Sequence, residues 1–349
     1  MCGNRKIILL FLALIAIEFP SISTARKSNK TSEAKKEIAR QGNAVLWQNP
    51  RDIASRNLYF GPGGEKDAPH AALTFLKEDL EGSNPKFDAR DDDGVKWKVK
   101  LGDEARPETV ASRLVWAVGY FTNEDYFASE IRVQAMPAHL QRGSARKLDF
   151  SSGIVRNVRL KRSLENEKKI GTWRWRQNPY TGTRELNGLR VMMALINNWD
   201  LKDVNNAIYI EKDGEETEAP AQIYMVSDLG ASFGAPGRWW PRKKSRGNLD
   251  VYSRARFISK ATSEYVDFMT PTRPALVYSV GFPQFFGRLQ MRWIGRRVPR
   301  GDAKWMGQLL AELSPEQIRD AFRAANYSPE EVERFAKVIE RRIGELNEL

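Results

Sequence analysis

The chain has 349 residues, 41% hydrophobic and 29% charged, with 56 Lys and Arg against 44 Asp and Glu for a formal net charge of +12. That length and balance suit a globular protein with room for a sizeable core and argue against a disordered one. A single cysteine, Cys2, and two histidines, His70 and His139, weigh against a disulfide framework, cysteine-ligated zinc, histidine-rich metal sites and His-based triads.

The first residues differ from the rest. Arg5 and Lys6 precede an apolar run, Ile7 to Ile17, and Ser23-Thr24-Ala25 supplies small residues at a cleavage site. Residues 1–25 read as a secretory signal peptide because the run is short for a bilayer span; an uncleaved anchor is the alternative. Export to a periplasmic or extracellular location is expected, with no transmembrane span after cleavage. Loss of Arg5, Lys6 and Glu18 leaves +11, which favours anionic partners: glycans, lipid headgroups, nucleic acid or nucleotide phosphates. Residues 26–48 are polar and lysine-rich and read as a tether. Phe60-Gly61-Pro62-Gly63-Gly64 has no Lys-Ser pair after it and loses a donor at Pro62, so a plain turn is expected rather than a phosphate cradle.

Leu73–Asp79 and Pro85–Asp91 have strand composition and are joined by Leu80-Glu81-Gly82-Ser83-Asn84. Asp92-Asp93-Gly94 turns the chain into Val95–Leu101, which alternates apolar residues with lysines as a half-buried strand does. Taken alone, the same pattern fits a sheet edge guarded by lysines. A helix is predicted next. Pro107 suits its first position, Val110, Leu114 and Val118 recur at helical spacing, Gly119 suits the stop, and Glu108 falls in the first turn. Tyr120–Pro137 continues the sheet. Arg142–Lys169 is basic and weakly patterned and reads as solvated surface. Trp173-Arg174-Trp175-Arg176 reads as strand alternation with the tryptophans inward, or as a stacking platform for bases or sugars.

Leu189, Met192, Met193 and Ile196 share one face of a helix over Arg184–Asn198. Asn206–Glu211 and Ala221–Ser227 then form a hairpin about a polar turn containing Asp213-Gly214. A hairpin brings its open ends together, so Asn205 lies near Asp228, and Asp200 feeds the same end. After Gly230, Arg238, Arg242, Lys243, Lys244 and Arg246 surround Trp239 and Trp240. Ser314-Pro315-Glu316-Gln317 and Ser328-Pro329-Glu330-Glu331 are capping boxes with proline at the first helical position, and Val332, Phe335, Ile339, Ile343 and Leu346 form the packing stripe of the last helix.

Asp200-Leu201-Lys202-Asp203-Val204-Asn205 keeps the Asp, Leu and Asn of the protein-kinase catalytic loop at their offsets, and Asp228-Leu229-Gly230 keeps the outer residues of the metal loop. VKLGDEARPETVASRL, Val99 to Leu114, is similar to phosphatidylinositol-kinase-like and other atypical kinases, including the secreted-kinase-like branch, as an exported bacterial-type member. The resemblance implies an α+β, two-lobed, protein-kinase-like fold, with a small β-rich lobe over 49–135 and a larger, mostly helical lobe over 136–349. It implies that Lys100 (with Lys98 as fallback) contacts ATP and Glu108 holds it, with Gly82 and Ser83 as the phosphate loop. By the same carry-over Asp200 orients the acceptor hydroxyl, Lys202 neutralises the transferred phosphoryl group, and Asn205 and Asp228 hold Mg²⁺ or Mn²⁺. Trp199 and Asn198 stand where that motif has arginine and histidine, and no G-x-G-x-x-G loop exists. The expected activity is phosphotransfer from ATP to an anionic or hydroxyl-bearing acceptor (protein, glycan or lipid headgroup). The alternative is an inactive pseudokinase-like module that captures an anionic envelope partner. Nucleic-acid binding rests only on charge and scattered aromatics and is disfavoured.

Overall fold

Strand β1 (Ala44–Val45) and a short 3-10 turn (Ile53–Ser55) precede a closed five-stranded barrel. The computed structural model describes residues 43–81, 84–142, 148–211, 220–236, 245–270 and 290–349. The barrel is formed by β2 (Ala72–Asp79), β3 (Lys86–Arg90), β4 (Lys96–Leu101), β5 (Asp125–Gln134) and β6 (Ile154–Arg162), in the order β2-β3-β4-β6-β5. Closure comes from β2 pairing in parallel with β5, which leaves no open edge. Phe87, Ala89, Trp97, Val99, Val158 and Leu160 are among the residues that fill it.

The expected strands and turn are present. Asp91 carries the Asp-Asp-Gly turn: its Oδ1 accepts from Val95 N at 2.8 Å, and its Oδ2 accepts from Trp97 Nε1 at 2.8 Å. Gly94 turns the chain with φ 84°, a conformation that costs glycine little. At the far end of β2, Asp79 ties the following loop, accepting from Glu81 N at 2.9 Å while Lys86 and Lys98 lie at 3.0 and 3.5 Å.

Helix α1 (Ala105–Ala117) connects β4 to β5 and packs on β5 and β6. It starts two residues before Pro107, because Glu104 rather than Arg106 is the cap. Gly119, at φ 95°, ends the connection as expected, and a Cβ there would lie 2.3 Å from Gln48 O. Arg113 of α1 is buried and donates to Tyr59 O, Phe60 O, Thr109 O and Asp125 O. It thereby fixes Phe60–Gly64, which is a turn as expected.

A second sheet has the order β1-β9-β8-β7, with β7 (Glu167–Gly171), β8 (Asn206–Glu211) and β9 (Gln222–Val226). The β8–β9 hairpin is present as expected, with Asn206 opposite Val226. Helix α2 (Arg184–Leu195) is capped by Thr183 Oγ1, which accepts from Leu186 N at 3.3 Å, and both its methionines are buried. Helix α3 (Leu249–Arg254), the small sheet of β10 (Ile258–Ala261), β11 (Tyr265–Phe268) and β12 (Val298–Pro299), and α4 (Arg300–Ala311) follow. The chain ends in α5 (Pro315–Arg323) and α6 (Pro329–Asn347), each with its full capping box. No helix among the described residues is long and apolar enough to cross a membrane.

Two expectations are corrected. Arg142–Lys169, read as solvated surface, contains β6 and the start of β7, and β6 takes part in the barrel beyond the 49–135 segment expected to hold the sheet. Asn157 adopts a left-handed conformation (φ 52°), which shifts the alternation so that Val155, Val158 and Leu160 all join the core. Trp173 and Trp175 are buried as expected, but Arg174–Gln177 is a bridged turn rather than a strand. Gly82 and Ser83, residues 1–42 (the expected signal peptide and most of the expected tether), the hairpin tip and residues 237–244 lie outside the described residues.

Two outcomes test this packing. Phe335 stacks on Phe322 (ring centroids 4.8 Å apart, planes 11° apart) and meets Phe233, Tyr252 and Tyr327. Phe335→Ala should therefore cost about 3–5 kcal/mol in urea unfolding, as deletion of a buried ring does. Burial opposes the Asp79 carboxylate, but the Glu81 N–H and the Lys86 and Lys98 ammonium groups hold its pKa below 3.8. A depressed carboxyl pKa stabilises the fold above the ordinary value, and the gain is lost as pH falls through the folded value. Asp79→Asn should be less stable than wild type at neutral pH, with the gap closing as the buffer is taken below 3.8.

Candidate active site

A cleft of about 1230 Å³ is lined by β4, β6, β7, the Trp199–Asn205 loop, the residues after β9, and Trp293. One ammonium organises its inner end. Lys100 Nζ lies 2.6 Å from Glu104 Oε2, 3.0 Å from Glu108 Oε2 and 3.5 Å from Asp228 Oδ1. Lys96, Lys98 and Lys100 share the outer face of β4, yet Lys100 alone of the three is buried. The difference is the turn and helix after β4, which bring Glu104 and Glu108 across that face. Lys98 instead pairs with Asp79 and Asp88, at 3.5 and 3.4 Å, and takes no part in this cluster.

The ion pairs continue outward. Arg159 on β6, cross-strand from Lys100, bridges Glu108 Oε1 at 3.1 Å and Asp125 Oδ1 at 3.3 Å. Arg246 reaches Glu104 Oε1 at 2.8 Å and lies over Trp199, 5.3 Å from the ring centroid. Within ion-pair distance, four carboxylates (Glu104, Glu108, Asp125 and Asp228) thus share three cations (Lys100, Arg159 and Arg246), one acid more than the cations. The buried Arg113 also lies near Asp125 and donates to its backbone O.

The titration directions follow from burial and from these charges. Burial disfavours the Lys100 ammonium, but Glu108, Asp228 and Glu104 outweigh it and raise its pKa. Burial also opposes the Asp228 carboxylate, which Lys100, the Gly230 N–H and Arg159 nevertheless hold below its ordinary value. Glu108 carries the surplus. Burial pushes it up to about 7 against the pull of Arg159 and Lys100, and Asp228 and Asp125 add to the rise. A proton on Glu108 relieves the excess charge, and so would a bound cation.

The hairpin base supplies the second group. Asn205 O accepts from Ser227 N at 2.9 Å and Asp228 N at 3.2 Å, so the two strand ends meet as their spacing predicts. Asn205 Nδ2 donates to Asp200 O at 2.6 Å, Asn198 Oδ1 accepts from Asp200 N at 2.9 Å, and Lys202 Nζ lies 2.8 Å from Asp200 Oδ1. Asn123 Nδ2 donates to Ser227 O at 2.8 Å and ties the β4–β6 side of the cleft to the hairpin.

Of the residues singled out from the sequence, Lys100, Glu108 and Asp228 are joined directly, while Asp200, Lys202 and Asn205 line the same cleft. Gly82 and Ser83 lie outside the described residues; Asn84, next in the chain, donates Nδ2 to Glu104 Oε2. Sequence reasoning missed Glu104, Arg159, Asp125 and Asn123. The Lys100-x-x-x-Glu104 spacing was a usable signal for the first, because a tight turn returns the chain over the strand. Arg246, the last cation of the basic segment after Gly230, is an ion-pair partner of Glu104.

Glu104, Glu108 and Asp228 can each offer a carboxylate oxygen within 4.8 Å of the others, and the Lys100 ammonium takes the place among them that a cation would occupy. Gly230 explains the glycine of the Asp-Leu-Gly triplet. A Cβ on it would lie 2.7 Å from Glu104 Cβ. Gly230→Ala should force the Asp228 loop away from Lys100 and cost about 1–3 kcal/mol in unfolding experiments, the range of overpacking. An unchanged unfolding midpoint would contradict the close approach.

No protein-family model and no curated protein matches the chain. Among solved structures, the Golgi casein kinase aligns over 99% of this chain and 94% of its own, with 10% identity and a TM-score of 0.32. Likeness at that level carries no weight for fold or chemistry, which rest on the residues above.

Proposed function

We propose that the chain is an exported, atypical-kinase-like phosphotransferase that moves the ATP γ-phosphate to a hydroxyl on an anionic or neutral acceptor, using Mg²⁺ or Mn²⁺. The observation that carries this reading is the Lys100–Glu108 pair at 3.0 Å, on a strand and the helix that follows it, with Asp228 at 3.5 Å from the same ammonium. Kinases use a strand lysine held by a helix glutamate for the nucleotide phosphates, with the metal-loop aspartate close by. Each residue has a role under this reading. Lys100 binds the phosphates, and Glu108 fixes its ammonium with Arg159 as support. Asp200 accepts the hydroxyl hydrogen bond, and Lys202 balances charge on the transferred group. Asn205 and Asp228 fit a divalent ion, since both offer side-chain oxygens on the cleft and the cluster beside them carries an excess carboxylate. Bound there, the ion would supply charge neutralisation on the phosphates.

A second reading is favoured by one contact. Lys202 sits on Asp200, and that pair as it stands occupies the carboxylate expected to orient the acceptor. A binding module that keeps the cluster without turnover would retain this contact.

Thermal unfolding with ATP and either metal tests both readings, because a ligand of the native state must raise the midpoint. The expected result is a rise that needs nucleotide and metal together and disappears in Asp228→Ala, with measurable ATP turnover in wild type. The same rise without turnover supports the binding module. No rise with any nucleotide rejects the phosphotransferase.

A further inference from the structure

Ten cations line the cleft, and they divide sharply. Lys86, Lys98, Lys100, Arg159, Lys202 and Arg246 each hold a carboxylate within ion-pair distance. Lys161, Lys169, Arg174 and Arg176 hold none among the described residues. These four are not scattered. Lys161 Nζ lies 3.3 Å from Tyr209 Oη, and Lys169 is the cross-strand partner of Tyr209, so all three groups crowd one patch of the wall. Arg174 and Arg176 flank Trp175, whose backbone N donates to Asp203 Oδ1 at 3.1 Å. Arg176 also lies over Trp293, 5.1 Å from the ring centroid. Trp175 lines the same cleft and is 2% exposed, and its Nε1 is buried with no acceptor among the described residues. A buried indole N–H without a partner is costly unless a ligand supplies the acceptor.

Lysine, arginine and indole groups only donate hydrogen bonds. A wall made of them complements a group that only accepts and is negative. Asp203 is the acid whose side chain meets this wall; it is exposed, and the backbone of Trp175 already donates to one of its oxygens. We propose that this wall is a second oxyanion subsite, separate from the Lys100 cluster, that takes a phosphoryl group through Lys161, Lys169 and Tyr209, with Arg174 and the Trp175 N–H beside them. The subsite stands whether or not the cleft transfers phosphate. The phosphoryl group belongs either to the far end of a donor chain or to an acceptor that already carries one.

Calorimetric titration of the full chain with inorganic tripolyphosphate, in chelator and without metal, tests it. Wild type should bind, and Lys161→Gln/Lys169→Gln should weaken binding by about tenfold or more, the scale of two lost charge-assisted contacts. The salt dependence should become shallower in the same variant. Lys304→Gln/Lys337→Gln removes the same charge at exposed positions elsewhere and should change affinity less than about twofold. Equal weakening in the two double variants, or no binding by wild type, overturns the subsite. Displacement of ATP by tripolyphosphate would assign the phosphoryl group to the donor, and independent binding would assign it to the acceptor. Failure of the metal-dependent nucleotide shift with tripolyphosphate binding intact would reject phosphotransfer and leave the subsite standing.

Discussion

One buried ammonium fixes the inner end of the cleft. Lys100 lies on β4 and is held by Glu104 and Glu108 from the turn and helix that follow and by Asp228 from the far end of the β8–β9 hairpin. Those three attachments join the barrel, its helix and the hairpin at one atom. Burying a lysine costs several kcal/mol unless the charge is compensated by good geometry. Here compensation is more than complete, since the Lys100 pKa is raised despite its burial. Removing the ammonium would leave its carboxylates facing one another, so the cluster depends on it more than on any one acid.

Overcompensation has a chemical consequence. A cluster designed only for stability would match its charges, and replacing such a cluster with apolar residues is often neutral or favourable. This one keeps an extra acid at ion-pair distance, and burial pushes Glu108 up to about 7. Asp228 differs from the other two acids of the ammonium in being 43% exposed toward the cleft, whereas Glu104 and Glu108 are nearly closed off. The surplus is therefore presented to whatever enters. That asymmetry, with buried acids holding the lysine and an accessible acid beside it, is what a site for a cation and an anion together requires.

Local signals reached further than composition did. The Asp-Asp-Gly turn, the lysine alternation of β4 and the two capping boxes each depend on residues a few positions apart, and each is present where the sequence puts it. The meeting of Asn205 with Asp228 was legible for the same reason, because a hairpin converts spacing into proximity. Arg159 was not legible. Its strand carries a left-handed Asn157 that breaks the alternation, so Val-Arg-Asn-Val-Arg-Leu-Lys-Arg reads as charge rather than as a strand. Arg246 and Asp125 were hidden for a different reason: their partners lie far away in sequence, and nothing local distinguishes an arginine bound for an ion pair from one bound for solvent.

The same distinction separates the two ends of the cleft. In the sequence, Lys98 and Lys161 look alike, each a lysine in a strand rich in cations. In the structure they are cross-strand partners, yet Lys98 is answered by Asp79 and Asp88 while Lys161 is answered only by a tyrosine. Among the described residues, Lys98, Lys100, Arg159 and Arg246 each hold an acid at ion-pair distance, whereas Lys161, Lys169, Arg174 and Arg176 hold none; Asp125 lies cross-strand from Lys161 but pairs with Arg159. Like charges held close without counterions repel one another and weaken the fold. An incoming oxyanion would relieve that repulsion, which makes the uncompensated wall the complement of the overcompensated cluster facing it.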